Sequence, residues 1–273
     1  VNSLALLQAS AFTLKLKNSI LDKLFVFTWT IWCSIVFLMA LIFVFPILIV
    51  GLNIPSKRVY RAMHFAPIHF SHIVLFLMRI KVVVHNKELL DDSKQYILIG
   101  NHMSYLDALI SAVASSNYKK YIGKAEILNY PVLGYLLKKL YVPVQRDRKV
   151  SRKWSMETMY KYLKDGASMV IFPEGTCNTT PKLLKEFKVG AFSLSLQLKI
   201  PIAACTIVGA AELMPRKLLS IRPGTIHVYW NKVLLPEDFS LEAMDEMKSE
   251  AKLAMLPQLE NNYPNGYGTM NAV

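Results

Sequence analysis

The chain contains one long uncharged apolar stretch near its beginning. No residue from Leu24 to Gly51 carries a charge. A helix of roughly 20 apolar residues is enough to cross the hydrocarbon core of a bilayer, and this stretch is longer. It is also longer than the apolar core of a signal peptide. The stretch therefore predicts membrane association, with Pro46 as the point where the helix kinks or ends.

A second apolar segment follows closely, from Tyr60 to Ile80, with Pro67 near its start. Together the two segments predict a two-helix membrane anchor over residues 1–80. They could cross the bilayer twice, or they could form a hairpin that dips into one leaflet. The second segment also carries His64, His69 and His72. No acidic or cysteine ligand lies near them in sequence, so interfacial packing is favoured over a metal site.

The overall composition supports a membrane-surface protein. Hydrophobic residues make up 53% of the chain and charged residues only 19%, with a formal net charge of +13. Soluble domains are usually close to a quarter charged. An apolar, basic chain suits an anionic lipid surface, and we find no nucleic-acid-binding signature. Its three cysteines are widely spaced, so they predict neither a disulfide framework nor a zinc site.

From about residue 81 the pattern changes to short apolar strands that alternate with helical segments. This alternation predicts an α/β domain over residues 81–260, with a mixed, partly parallel sheet flanked by helices. Residues 261–273 are rich in Asn, Gly, Pro and Tyr and are predicted to form a flexible tail. Strands are predicted at residues 81–85, 96–100, 121–124, 141–145, 168–172, 200–208 and 225–234. Helices are predicted after residue 102 and at residues 131–140, 151–164, 185–198 and 241–259.

The most informative stretch of this domain runs from Ile97 to Asp107. Its apolar start predicts a buried strand, and Ser104 is typical of a helix N-cap. His102 would then lie at the strand end, and Asp107, in the first turn of the helix, could fold back to its imidazole. A carboxylate on one ring nitrogen leaves the other free to accept a proton from a hydroxyl. The alternative is structural, because Ser104-x-x-Asp107 also resembles a capping box.

Two further predicted strands end in polar residues. One ends in Gln145-Arg146, and the other is followed by Pro173-Glu174-Gly175-Thr176. Arginine suits bidentate phosphate binding, and a glycine lets a ligand approach the backbone closely. In open α/β sheets, ligands bind outside the carboxyl ends of the strands. We therefore expect the three strand ends to form one site, although each motif alone is also compatible with an ordinary surface turn.

Two motifs in this order, Asn101-His102-x-Ser104-x-x-Asp107 and Phe172-Pro173-Glu174-Gly175-Thr176, resemble those of the membrane glycerolipid acyltransferases. The 1-acylglycerol-3-phosphate O-acyltransferases typify that family. The resemblance covers about residues 80–235. It implies that His102 is a general base and that Asp107 orients it. Lys124 resembles a lysine near the reacting centre, where it could contact an oxyanion or the donor.

The resemblance also assigns the acceptor side of the site. Arg146 matches a phosphate-binding arginine, and Glu174, Gly175 and Thr176 match an acceptor-binding motif. Cys177 is a departure, because the family usually has an arginine there. The acceptor could accordingly be lysophosphatidic acid, or it could be a lyso-aminolipid, another lysophospholipid or glycerol 3-phosphate. A non-catalytic membrane lipid-binding protein on the same fold is a further alternative.

The activity that the resemblance implies is transfer of a fatty acyl group from acyl-CoA or acyl-carrier protein to the sn-2 hydroxyl of lysophosphatidic acid, giving phosphatidic acid. The thioester is a co-substrate, so no metal or other cofactor is expected. The implied partners are a phospholipid membrane, a lysophospholipid and the thioester carrier, with no nucleic acid. The implied location is a bacterial inner membrane, with the catalytic domain on the cytoplasmic side.

Overall fold

Three helices precede the sheet. The computed structural model describes residues 2–129, 134–135, 139–144, 149–216, 220–240 and 242–267. Helix α1 spans Asn2–Asn53, α2 spans Lys57–Met63 and α3 spans Ala66–Leu77. Pro46 lies inside α1 without ending it. Within α1, Ser19–Asn53 is long and apolar enough to cross a membrane, and it is the only such helix in the described part of the chain.

The expectation that the second segment also crosses the bilayer is not met, whereas the alternative of a hairpin that enters one leaflet stays a prediction. The apolar run from Tyr60 to Ile80 is divided between α2 and α3, with Pro67 in the first turn of α3. Helix α3 has 12 residues, or about 18 Å of helix, which is too short to span a bilayer. Val74 and Leu75 of α3 are buried in a core cluster on one face of the sheet. Among the described helices, α1 alone therefore has the dimensions of a membrane span.

Seven strands form one mixed sheet in the order β1-β7-β6-β2-β5-β3-β4, which confirms the predicted α/β class. Neighbouring strands are parallel except for β6 and β7, which are antiparallel. Strands β2 to β6 therefore run in one direction, and their carboxyl ends share one edge. The strands are β1 (Ile80–His85), β2 (Ile97–Gly100), β3 (Lys119–Lys124), β4 (Tyr141–Val144), β5 (Ser168–Ile171), β6 (Ile202–Val208) and β7 (Gly224–Leu234).

Helices cover both faces of the sheet. Side chains alternate across a strand, so Ile97 and Ile99 of β2 pack in one core cluster and Leu98 packs in the other. The first cluster includes residues of the helices at Lys149–Lys164, Gly190–Leu198 and Met244–Asn262, and the second includes residues of α3 and of the helix at Asp107–Val113. All four residues of β2 are buried, which explains its continuous apolar sequence. The helices after α3 are α4 (Asp107–Val113), α5 (Lys149–Lys164), α6 (Gly190–Leu198), α7 (Ala210–Leu213) and α8 (Met244–Asn262).

Two predicted segments differ from the structure. The helix expected from Lys185 begins only at Gly190, because the preceding residues contact the β5 turn, as described below. The tail expected to be flexible from Asn261 is ordered as far as Tyr267. Tyr263 and Tyr267 are buried in the core, and the Tyr263 hydroxyl accepts a hydrogen bond from the Gly209 N–H at 2.9 Å. The predicted helix at residues 131–140 lies largely outside the described residues.

Strand β3 buries two consecutive lysines. Lys119 Nζ donates to the Ser115 Oγ at 2.9 Å. Lys120 Nζ lies 2.6 Å from His64 Nε2 and donates to the Lys139 carbonyl at 2.6 Å. Burial lowers the pKa of each lysine to about 7, since burial disfavours the charged amine. His64, one of the three candidate metal ligands, is thus used to join α2 to the sheet.

The lowered pKa values of these two lysines predict that the free energy of unfolding increases as the pH rises above 7. Between a folded pKa of about 7 and an ordinary value of 10.5, the unfolded chain binds more protons, so the free energy of unfolding increases with pH. We expect a higher thermal midpoint at about pH 8.5 than at pH 7. Lys120→Met should reduce this difference and raise the midpoint at pH 7. The same pH dependence in Lys120→Met would show that this amine is not responsible.

Candidate active site

The turn between β2 and α4 brings His102 and Asp107 together, as the sequence predicts. His102 Nδ1 lies 2.8 Å from Asp107 Oδ2. The Asp107 side chain is fully buried, whereas 23% of the His102 side chain is exposed. The imidazole is therefore held from its buried side. In the described part of the chain, we find no protein partner for its other nitrogen, Nε2.

The same carboxylate oxygen also shapes the turn. Asp107 Oδ2 accepts the main-chain N–H groups of Met103 at 2.7 Å and Ser104 at 2.8 Å. The hydroxyl of Ser104 accepts from the Leu106 N–H at 3.2 Å and donates to the Met214 carbonyl at 2.9 Å. Helix α4 starts at Asp107, so Ser104 caps the turn before the helix and not the helix itself. The predicted helix N-cap at Ser104 is therefore wrong, although its N–H and the His102 imidazole do share the Asp107 carboxylate.

Asn101 fixes the end of β2 against the neighbouring strand. Its side-chain amide donates to the Ile207 carbonyl at 2.9 Å, and its Oδ1 accepts the Ile207 N–H at 2.7 Å. Asn101 is fully buried, so this pair replaces the sheet hydrogen bonds that β2 can no longer make at its end. His102, the next residue, is positioned by this contact. The sequence showed Asn101 only as the end of a strand.

Glu174 supports His102 from β5. Glu174 Oε1 accepts the main-chain N–H of His102 at 2.9 Å, and Oε2 accepts the N–H of Lys185 at 3.0 Å. Burial raises the pKa of the Glu174 carboxyl, and the two N–H groups oppose that shift. The N–H of Asn178 donates to the His102 carbonyl at 2.6 Å. The turn after β5 thus holds both main-chain polar groups of His102.

Phe172 lies flat against the imidazole. The two ring centroids are 4.4 Å apart, and the planes differ by 17°. This stacked ring covers one face of His102 and restricts the imidazole to its plane. Gly175 has φ +73°, a left-handed conformation that favours glycine, and it turns the chain after Glu174. Lys185 Nζ hydrogen-bonds the Thr176 hydroxyl.

The structure places the remaining predicted residues only in part. Lys124 ends β3, on the edge of the sheet where β2 and β5 also end, and its side chain lies outside the described residues. Arg146 also lies outside them. Of the residues expected in the site, the structure brings His102, Asp107 and Glu174 into contact through hydrogen bonds. Lys124 and Arg146 therefore remain predictions from the sequence.

Comparison with known proteins identifies the central part of the chain. The family model described as Acyltransferase matches residues 81–208. Residues 81–208 form an acyltransferase-family domain. The match begins within β1 and ends with β6. It therefore includes the turn after β2, which carries His102 (the His102 turn), and the turn after β5, which carries Glu174 (the Glu174 turn).

The individual relatives share 26% to 32% sequence identity with this chain over the aligned residues. The chain is 26% identical over 179 residues to a 1-acyl-sn-glycerol-3-phosphate acyltransferase of Chlamydomonas reinhardtii, covering 65% of this chain and 53% of that protein. It is 32% identical over 145 residues to a putative enzyme of that name from Caenorhabditis elegans, covering 52% and 55%. It is 28% identical over 156 residues to a lyso-ornithine lipid O-acyltransferase of Rhizobium meliloti, covering 56% and 50%. The chain thus spans about half the length of these curated relatives.

A solved structure shares the fold. The chain superposes on the 1-acyl-sn-glycerophosphate acyltransferase PlsC of Thermotoga maritima with a TM-score of 0.75 and 18% identity. The superposition covers 88% of this chain and 96% of the other. At this identity the likeness establishes the fold alone.

An apolar cavity adjoins the His102 turn of the acyltransferase domain. It has a volume of about 510 Å³ and lies between α1, α3 and α4. Tyr105 and Leu106, from the turn between His102 and Asp107, line one part of it, and Ala112 of α4 lines another. Helix α1 contributes Cys33, Phe37 and Phe45 among other residues. The cavity can therefore hold a long apolar group close to the imidazole.

Sequence patterns did not indicate the contact between Arg216 and Cys177. The guanidinium of Arg216 lies near the Cys177 thiol and the Tyr105 hydroxyl and interacts with both electrostatically, and it stands 5.3 Å from the centroid of the Tyr105 ring. Arg216 follows α7 and is far from both partners in sequence, so no local pattern could have revealed it. Burial raises the pKa of the Cys177 thiol to about 11, which keeps the thiol protonated at neutral pH.

We predict that His102→Ala retains the fold and lowers acyl transfer by ~10²-fold or more, since that is the usual contribution of a general base. His102 is partly exposed and contributes its main chain to the turn, and alanine preserves that main chain. The measurement is turnover of purified protein with a thioester donor. His72→Ala, which removes an exposed imidazole from α3, is the matched control and should be unaffected. Near-normal turnover of well-folded His102→Ala would contradict the assignment.

Proposed function

We propose that this protein transfers a fatty acyl group from an acyl thioester to the free sn-2 hydroxyl of lysophosphatidic acid, forming phosphatidic acid. One observation carries the proposal. Asp107 holds His102 Nδ1 at 2.8 Å, and the described part of the chain provides no nucleophile for Nε2. This is the base half of a catalytic triad without its serine. The attacking hydroxyl must then belong to a substrate.

In the proposed reaction, His102 Nε2 takes the proton of the acceptor hydroxyl as its oxygen attacks the thioester carbonyl carbon. The imidazolium that forms is stabilised by the Asp107 carboxylate. The tetrahedral intermediate then expels the thiolate, which receives the proton from His102 and leaves as a free thiol. The ester bond forms, the thioester bond breaks, and no electrons pass to or from the protein. The thioester carrier, acyl-CoA or acyl-carrier protein, is the only co-substrate that the reaction needs.

Cys177 is poorly suited to act as an alternative nucleophile. It follows Thr176 directly and is 6% exposed. Its pKa, raised to about 11 by burial, leaves almost no thiolate at neutral pH, and the thiolate is the reactive form. Direct transfer to the acceptor is therefore favoured over an acyl-cysteine intermediate.

Groups at the same sheet edge would complete the site. We propose that Lys124, at the end of β3, contacts the oxyanion or the donor, and that Arg146, after β4, contacts the acceptor phosphate. Glu174, Gly175 and Thr176 would form the acceptor side of the site. Support comes from the parallel direction of β2, β3, β4 and β5, which places their carboxyl ends along one edge. Ligands of open α/β sheets bind at that edge.

We propose that the apolar cavity takes the acyl chain of the donor. Tyr105 and Leu106 line it within the turn that carries His102 and Asp107. An alkyl chain in this space would therefore have its thioester end near the imidazole. Each buried methylene contributes about 0.8 kcal/mol, so the cavity would also supply much of the donor affinity.

The proposed location is a membrane surface. Ser19–Asn53 could cross a bilayer by length and composition, and α1 also lines the cavity. Lys57, Arg58 and Arg61 follow this helix and suit anionic headgroups. Matched relatives include proteins of Mycoplasma pneumoniae and Rhizobium meliloti. We place the protein at a bacterial inner membrane, with the sheet domain on the cytoplasmic side.

A second acceptor is favoured by one specific observation. A matched relative is named a lyso-ornithine lipid O-acyltransferase, and that acceptor also presents a free hydroxyl but no phosphomonoester. Mass spectrometry of the products from a mixture of lysophosphatidic acid and lyso-ornithine lipid, offered with both thioester donors, separates the two. Phosphatidic acid as the main product supports our proposal. An acylated aminolipid as the sole product would overturn it.

Filling the cavity should shorten the acyl chains that the enzyme uses. We predict that Ala112→Leu lowers kcat/KM for the longest acyl-CoA by about tenfold, because a methylene-sized misfit commonly changes specificity on that scale. A shorter acyl-CoA should be used nearly as well as before. Ala62→Leu, at an exposed position of α2, is the matched control and should leave the chain-length profile unchanged. An unchanged profile in Ala112→Leu would mean that the donor chain does not enter this cavity.

A further inference from the structure

Arg216 is a guanidinium beside the proposed reaction site, and the site as described above gives it no role. It follows α7 (Ala210–Leu213), outside the segment that the family model matches. The segment is tied to the His102 turn by the hydrogen bond from the Ser104 hydroxyl to the Met214 carbonyl at 2.9 Å. Met214 also lines the apolar cavity. Arg216 is therefore positioned by the same turn that positions His102.

The two neighbours of Arg216 belong to the two turns that hold His102. Tyr105, whose ring lies 5.3 Å below the guanidinium, belongs to the turn after β2. Cys177, whose thiol interacts electrostatically with the guanidinium, belongs to the turn after β5. The residue after Cys177, Asn178, donates its N–H to the His102 carbonyl at 2.6 Å. The guanidinium thus lies beside both turns that hold the imidazole.

The charge of Arg216 has no ionic partner in the described part of the chain. Its neighbours there, the Cys177 thiol and the Tyr105 phenol, are neutral groups. The side chain is nevertheless exposed, so its remaining N–H donors face solvent. Arg222, a few residues further on, differs in this respect, because its two terminal nitrogens bind the carboxylate of Asp22 at 2.8 and 2.7 Å. Arg216 is held in place while its charge stays available.

A planar guanidinium with free donors is suited to bidentate binding of a phosphate. In a phosphorylated lysoglycerolipid, only two glycerol carbons and one ester oxygen separate the reacting hydroxyl from phosphorus. A hydroxyl at His102 Nε2 therefore brings its phosphate within the immediate surroundings of the imidazole. Arg216, fixed against the two turns beside His102, is a free cation in those surroundings.

We propose that Arg216 binds the phosphomonoester of the acceptor and thereby determines its preference for a phosphorylated lysolipid. This inference rests on the proposed function. It adds a specificity-determining residue from the segment after α7, beyond the motifs that identify the site. Tyr105 and Cys177 orient the guanidinium, and neither supplies a competing negative charge.

The test compares full-length wild-type protein with Arg216→Gln, Arg216→Lys and Arg222→Gln in neutral detergent micelles. The steady-state KM is measured for lysophosphatidic acid and for acyl-CoA, and the inhibition constant is measured for monoacylglycerol, which has the glycerol hydroxyls without the phosphate. Arg216→Gln should raise the KM for lysophosphatidic acid at least tenfold, the usual scale for a lost charged hydrogen bond. The other two constants should stay within about twofold. Arg216→Lys, which keeps the charge without the planar fork, should give an intermediate KM.

Arg222→Gln is the matched control, because it removes the same charge from a guanidinium that Asp22 already neutralises. It should leave all three constants unchanged. An unchanged KM for lysophosphatidic acid in Arg216→Gln would overturn the inference. So would an equal weakening of monoacylglycerol, which would indicate a positioning role, or an increase confined to acyl-CoA, which would place the guanidinium on the donor phosphates. If the wild-type protein makes no phosphatidic acid at all, the proposed function fails first, and the inference falls with it.

Discussion

The site depends on one carboxylate oxygen. Asp107 Oδ2 accepts hydrogen bonds from the imidazole Nδ1 and from the main-chain N–H groups of Met103 and Ser104, all at 2.7 to 2.8 Å. A fully buried carboxylate would be very costly without partners, and hydrogen bonds to an ionised acceptor are stronger than neutral ones. The turn can therefore bury the charge only by closing around it. That closure fixes the orientation of His102.

The sheet supplies the rest of the support. Strand β2 lies between β5 and β6, so both neighbours can reach the residues at its end. Glu174, after β5, holds the His102 N–H at 2.9 Å, and the Asn101 amide pairs with Ile207 of β6. The main chain at His102 is therefore fixed by residues from both neighbouring strands, β5 and β6. A rigid main chain of this kind would hold the proposed base in position for a substrate hydroxyl.

Much of this arrangement could be predicted from the sequence, because it is local. The apolar runs of β2 and β5 identify buried strands, and the spacing of His102 and Asp107 lets the second reach the first across one turn. The alternation of strands and helices indicated the fold class.

What the sequence could not provide is contact between distant segments. Asn101 pairs with a residue 106 positions away. The hydrophobic character of Tyr60–Ile80 does not reveal that a new helix begins at Ala66, with Pro67 in its first turn. Nor does the composition of the last residues show that Tyr263 and Tyr267 pack in the core. Sequence patterns did not indicate a role for Arg216 either, because its neighbours Tyr105 and Cys177 are distant in sequence.

The central claim is that the acyl group passes directly from thioester to acceptor, with His102 as base and no acyl-enzyme. Rapid-quench measurement of free thiol release, with acyl-CoA mixed with enzyme before any acceptor is added, tests this most directly. The account predicts no burst of free CoA and no acyl mass increment on the intact protein, because no protein nucleophile receives the acyl group. Release should begin only when lysophosphatidic acid is supplied. A burst of one equivalent of CoA with a matching acyl adduct, on Cys177 or any other residue, would contradict the account.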